Sequence, residues 1–179
     1  MSDLLEQIKK LRELSGAGFL DCKKALSENN NDIEKSIDFL RKKGLAKAFK
    51  KSEREANEGA IGFYSNNSHA LMLQINTETD FAAKNETFLD FVDKIGNISL
   101  SNYNSSIDSP KKFLDLNHEG KKISDYFNEI ISVIGENIVL KKITFLNKEE
   151  GTTIYNYIHN AYRDNIGKIC VILKAKVAE

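Results

Sequence analysis

Three histidines, two cysteines and many carboxylates are the side chains of this sequence that could bind a metal, attack a carbonyl or shuttle a proton. Their spacing supports none of these. His69, His118 and His159 stand alone, without the Glu-x-x-His or His-x-x-x-His pairing that aims two ligands at one ion. Cys22 and Cys170 are far apart in the chain and have no histidine beside them, and both fall in apolar patterns, where buried small hydrophobes are expected. Two such cysteines form no disulfide framework and fit a reducing compartment. Gly16-Ala17-Gly18 follows a helical pattern rather than a strand and lacks the lysine of a phosphate loop. The sequence therefore predicts no catalytic residue, no metal site and no cofactor, hence no enzyme. The chemistry that remains is that of binding, in the stretch INTETDFAAKNETF from Ile75 to Phe88. There Phe81 follows Asp80 just as an apolar run ends, either as a first-turn core residue or as a plug for another protein.

The elements around these residues set the choice. The chain has 179 residues, 41% hydrophobic and 29% charged, the composition of a globular protein. No apolar run reaches the roughly 20 residues needed to cross a bilayer, and the charged start MSDLLEQIKK lacks the apolar core of a signal peptide. Residues 1–55 carry 13 Lys/Arg against 10 Asp/Glu and the remainder 13 against 16, a mild asymmetry that gives little reason to expect nucleic acid.

Residues 1–44 read as three short helices. Leu4, Ile8 and Leu11 recur at helical spacing, with Ser2 or Asp3 as cap. Ser15-Gly16-Ala17-Gly18 breaks the first helix, and Cys22, Ala25 and Leu26 mark the inner face of a second. Asn29-Asn30-Asn31 ends that one, Asn31 or Asp32 caps a third with Ile33, Ile37 and Leu40 inward, and Gly44 stands where a C-terminal cap is expected. Gly16 and Gly18 let two helices come close and expose Phe19 and Leu20, unless Leu20 packs into the core; an apolar edge left exposed is a surface for a partner. A basic connector follows, Arg41 to Arg54, with seven Lys/Arg and one Glu. Such a run can touch phosphates, but Phe49 is the one aromatic residue interleaved with it and no stacking platform is present, so it reads as a solvated face.

From Gly59 the texture is β-rich. GAIGFYS and HALMLQIN flank Asn66-Asn67, which reads as a hairpin. After Asp80 the period becomes helical, with Phe88, Phe91, Val92, Ile95 and Ile98 in one stripe. Residues 99–120 hold the only proline, Pro110, and at most short structure. Ile123, Tyr126, Phe127, Ile130, Ile131 and Ile134 form another amphipathic helix, which Gly135 stops before the strand NIVLKKITF. The tail TIYNYIHNAYRDNIGKICVILKAK repeats the hairpin pattern with no helix after it, so either the sheet is shared or the natural chain continues beyond residue 179.

Three stretches carry a resemblance to the elongation factor Ts family. LRELSGAGFLDCKKAL, Leu11 to Leu26, resembles the family's N-terminal signature; INTETDFAAKNETF resembles the second, built on Thr79-Asp80-Phe81; and IGENIVLKKI, Ile134 to Ile143, resembles its Ile-Gly-Glu-Asn-Ile segment. The resemblance implies an α+β fold: a three-helix module of the ubiquitin-associated type, then a core of antiparallel hairpins packed with helices. The expected organisation is the module over 1–44, the connector over 45–58, a core subdomain of hairpin, two helices and strand over 59–145, and a second hairpin over 146–179 that begins a related, incomplete subdomain. The family's usual chain continues further, which favours a truncated chain. Ala82 replaces the usual valine, Gln74 stands where glutamate is common, and Arg163-Asp164-Asn165 enlarges the second hairpin's turn. The implied function is nucleotide exchange on elongation factor Tu, GDP-bound and nucleotide-free, in the cytoplasm, with no direct nucleic-acid or membrane partner and a homodimer open to the full-length form. By the same likeness Phe81 is a wedge near the GTPase's magnesium site, Thr79 and Asp80 belong to its turn, and Leu11, Gly18, Lys23, Ile134 and His159 match secondary contact positions. Two alternatives stand beside it: a truncated module that binds elongation factor Tu with weak exchange, and a peptide or ubiquitin binder.

Overall fold

The computed structural model describes residues 2–103, 107 and 109–176, with the backbone alone at Ser2, Asp3 and Lys47. It divides into two compact units, Met1–Glu53 with Asn128–Glu136, and Arg54–Phe127 with Asn137–Glu179.

The first unit is built on helices α1 (Ser2–Ser15), α2 (Phe19–Glu28) and α3 (Ile33–Lys51). Ile8, Leu11, Cys22, Ala25, Leu26 and Leu40 meet in its core, as their helical spacing requires. Capping of α1 by Ser2 or Asp3 rests on side chains outside those described. Asn30 and Asn31 take positive φ, 52° and 61°, a conformation asparagine tolerates. Asp32 then caps α3 by accepting from the Lys35 amide at 3.0 Å. Gly44 does not end this helix. It lies inside α3, which runs through Ala46, Ala48 and other good helix formers, so residues 45–51 of the expected connector are helical. The stop comes at Ser52, whose hydroxyl donates to the Phe49 carbonyl at 2.7 Å.

The second unit is a five-stranded antiparallel sheet covered by helices. Its strands are β1 (Glu58–Ser65), β2 (His69–Thr77), β5 (Val139–Asn147), β6 (Thr152–Arg163) and β7 (Ile166–Lys176). Helices α4 (Asp80–Ala83), α5 (Glu86–Ser101) and α6 (Pro110–Leu114), and the small strand pair β3 (Asn117–His118) and β4 (Lys121–Lys122), fall between β2 and β5. Helix α7 (Ile123–Ile134), which belongs to this unit only up to Phe127 and to the first from Asn128, precedes β5, and Gly135 ends it at φ +88°. The Asn66 side chain shapes the first hairpin by accepting from the amides of Ser68 and His69 at 2.9 and 3.0 Å. Leu71, Leu73 and Ile75 of β2 are fully buried, as are Phe88, Val92 and Ile95 of α5. Phe91 meets Phe127 edge-on at 4.9 Å.

The sheet order is β5-β2-β1-β7-β6. The second hairpin therefore shares the sheet of the first. The join is short: Ile61 and Gly62 pair with Gly167 and Ile166, and the Phe63 amide donates to the Asn165 carbonyl at 2.8 Å. Few residues of β6 and β7 signal this pairing, because most of the hairpin's length lies beyond it.

Among the described residues, no helix is long and apolar enough to cross a membrane, and no group of three His, Cys, Asp or Glu is placed to hold a metal ion.

Candidate functional site

Phe81 stands on a one-turn helix fastened to the sheet from below. Ala82 and Ala83 of α4 are buried, 7% and 0% exposed, and face β1 and β2. Their small size lets the turn lie close on the sheet. The ring of Phe81 is 84% exposed, so the core alternative for this residue does not hold in this chain. The backbone beneath it is fixed at both ends. Thr77 donates its hydroxyl proton to the Thr79 carbonyl at 2.7 Å, and Thr79, as N-cap, accepts from the Ala82 amide at 3.3 Å. The Lys84 amide donates to the Asp80 carbonyl, and the Asn85 amide to that of Ala82. Asn85 in turn caps α5, accepting from the Thr87 amide at 2.9 Å.

Asp80 pairs with Lys84, 3.0 Å distant. The Lys84 hydrogen bond holds the Asp80 carboxyl below the usual carboxylate range, and Asp80 raises Lys84 in return. Glu78, just before the turn, accepts from the Asn137 amide at 2.6 Å and lies 3.5 Å from Arg54. The turn thus has polar anchors and one uncovered apolar side chain.

Helix α5, which continues from this turn, is gripped by the tip of the second hairpin. Arg163 reaches Glu86, Asp90 and Asp93 at 2.5, 2.7 and 2.7 Å. Asn165 donates to Asp93 at 2.8 Å, and the Tyr64 hydroxyl donates to it at 2.9 Å. Burial pushes the Asp93 carboxyl up, but the hydrogen bonds from Asn165, Arg163 and Tyr64 outweigh it and hold the group below its ordinary value. Tyr64 moves the other way, raised by burial and then by the Asp93 charge. None of this grip was legible as function; its single sequence signal was the enlarged Arg163-Asp164-Asn165 turn.

The remaining residues divide between the units. Leu11 is 0% exposed in the core of the first unit, so its side chain offers no surface to a partner. The same spacing that marked it as helical faces it inward. Gly18 is exposed at the start of α2, Lys23 is exposed on that helix, and Ile134 is half-buried at the end of α7. Beside Gly18, Phe19 and Leu20 are 43% and 78% exposed, so Leu20 is not packed in the core. In the second unit, His159 is exposed on the edge strand β6, with its Nδ1 3.2 Å from the Tyr157 hydroxyl. Cys22 is buried as expected, whereas Cys170 is only partly covered, because it lies on the hairpin beyond its pairing with β1.

Comparison with known proteins gives a consistent result. The family model described as elongation factor TS matches residues 78–179. The elongation factor Ts of Allorhizobium ampelinum (strain S4) is 46% identical over 94% of this chain and 54% of its own length. That of Rhizobium etli (strain CIAT 652) is 44% identical over the same shares. The Brucella anthropi protein is 39% identical over 99% of this chain and 57% of its own length. The chain spans little more than half the length of these curated relatives.

Proposed function

Because the chain belongs to the elongation factor Ts family, we propose that it is a guanine-nucleotide exchange factor for elongation factor Tu, acting in the cytoplasm. The observation that carries this reading is the ring of Phe81, 84% exposed on a turn whose backbone is held at both ends. Burying such a ring in a partner yields about 2–3 kcal/mol. If only one conformation of the GTPase accepts it, that free energy favours that conformation. Every 1.4 kcal/mol of such preference is about tenfold in nucleotide affinity. The partner's magnesium makes the step sensitive, since this ion demands near-ideal octahedral geometry and a small shift of its ligands weakens it. Linkage makes the antagonism reciprocal: the factor expels GDP, and incoming GTP expels the factor. No covalent bond is made or broken. Asp80, neutralised in part by Lys84, holds or extends the turn, and Gly18, Lys23, Ile134 and His159 are secondary contacts in this reading. Leu11 serves only by supporting the first unit's surface.

Stopped-flow release of a fluorescent GDP from elongation factor Tu tests the proposal. The chain accelerates release, and Phe81→Ala loses most of that acceleration while melting at the wild-type temperature. Equal activity of Phe81→Ala and wild type would remove the wedge. A second reading is a module that docks on elongation factor Tu but releases GDP slowly. Co-elution with the nucleotide-free GTPase, without faster GDP release, selects that one.

A further inference from the structure

The side chain of Arg163 joins three carboxylates of one helix. Glu86, Asp90 and Asp93 follow at helical intervals on one face of α5, where three like charges repel one another unless a cation lies among them. Arg163 supplies it from the end of β6, with its side chain only 26% exposed. A planar guanidinium can serve several carboxylates at once, which a lysine ammonium on a flexible stem does less well. Asn165 and Tyr64 add two more hydrogen bonds to Asp93, from β7's approach and from β1. The start of α5 is thereby fixed from outside itself.

That start is joined to the Phe81 turn by Lys84 and Asn85 alone. Asn85 caps α5 with its side chain and closes α4 with its amide. A shift at Glu86 therefore passes to α4 through residues that have little freedom to absorb it. We propose that Arg163 is a positioning residue for nucleotide exchange: by clamping Glu86, Asp90 and Asp93 it holds α5, and through Lys84-Asn85 the turn that presents Phe81. The proposal rests on the exchange-factor reading. It gives the second hairpin a role within its own unit, because the Arg163 side chain is engaged by the carboxylates of α5.

Two measurements on the 179-residue chain test it. The first is amide hydrogen exchange over residues 82–88 without any partner. Arg163→Ala speeds exchange there about tenfold, and Arg163→Lys restores part of the protection. The second is the GDP-release assay as a function of chain concentration. Arg163→Ala lowers the maximal acceleration about tenfold and moves the half-saturating concentration much less, since the docking surface is intact. A variant that merely unfolded would instead lose circular dichroism and amide protection throughout. Should Arg163→Ala not fold, the pair Glu86→Gln with Asp90→Asn removes two arms of the clamp and leaves Asp93 in place; it is expected to show losses of the same kind but smaller, about threefold. Wild-type protection and wild-type maximal acceleration in Arg163→Ala, or in that pair, overturn the positioning role. Failure of the wild-type chain to accelerate release overturns the exchange reading instead, and the partner-free amide data then stand apart from it.

Discussion

At the scale of single residues, exposure separates side chains that pattern alone groups together. Phe81 and Phe88 sit in the same stretch and have the same chemistry, yet one is 84% exposed and the other 0%. The difference comes from a single turn of helix that directs Ala82 and Ala83 to the sheet and Phe81 away from it. The Phe81→Ala experiment belongs to this scale: a ring that covers none of its own core should be removable with large loss of exchange and little loss of stability. The two cysteines give another contrast. Burial raises both thiols, but Cys22 is enclosed by the first unit's core while Cys170 is partly open. Under native conditions Cys170 should react with a thiol-disulfide reagent faster than Cys22, by on the order of tenfold or more. Equal rates would contradict the packing around Cys22.

At the scale of elements, the first hairpin and α5 are held together by a glycine that helix propensity disfavours. Gly96 lies in the middle of α5, where glycine costs about 1 kcal/mol relative to alanine. A Cβ there would meet the Tyr64 ring at 2.1 Å, and one at Gly62 would meet it at 2.7 Å. The ring lies in the space these two glycines leave, which is how its hydroxyl reaches Asp93. Gly96→Ala should therefore destabilise the protein by about 1–3 kcal/mol despite its better helix propensity. The check is a lower urea midpoint with an unchanged slope. A stabilised variant would mean that Tyr64 is not confined as the structure places it.

At the scale of the whole molecule, the decisive feature of the second unit is the capture of a late hairpin by an early sheet and helix. Asp93 receives bonds from both ends of that hairpin's turn and from β1. Its folded pKa lies below the unfolded value of about 3.9, so its contribution is present above that value and is lost as pH falls through the folded pKa. Wild type and Asp93→Asn should differ by about 2 kcal/mol near pH 7, where bonds to a charged group are lost. The gap should narrow as the medium is acidified below about pH 4. Urea unfolding at a series of pH values reads this directly, and a gap that widens in acid would assign the shift to another group.

Local signals decided much of this protein. The helical stripes of Ile8, Leu11, Cys22 and Leu26 and of Phe88, Val92 and Ile95, the Asn66 turn and the Gly135 stop are all set by short-range periodicity and backbone preference, which act within a few residues. The same range held the Asp80-Phe81 stretch, but whether its ring faced in or out depended on what lay beneath α4. Tertiary contact alone decided two further matters: that β7 joins β1 at Ile61 and Gly62, and that Arg163 clamps a helix some 70 residues earlier. Each depends on groups distant in the chain, where periodicity carries no information and only the packed structure brings charge to charge and ring to glycine.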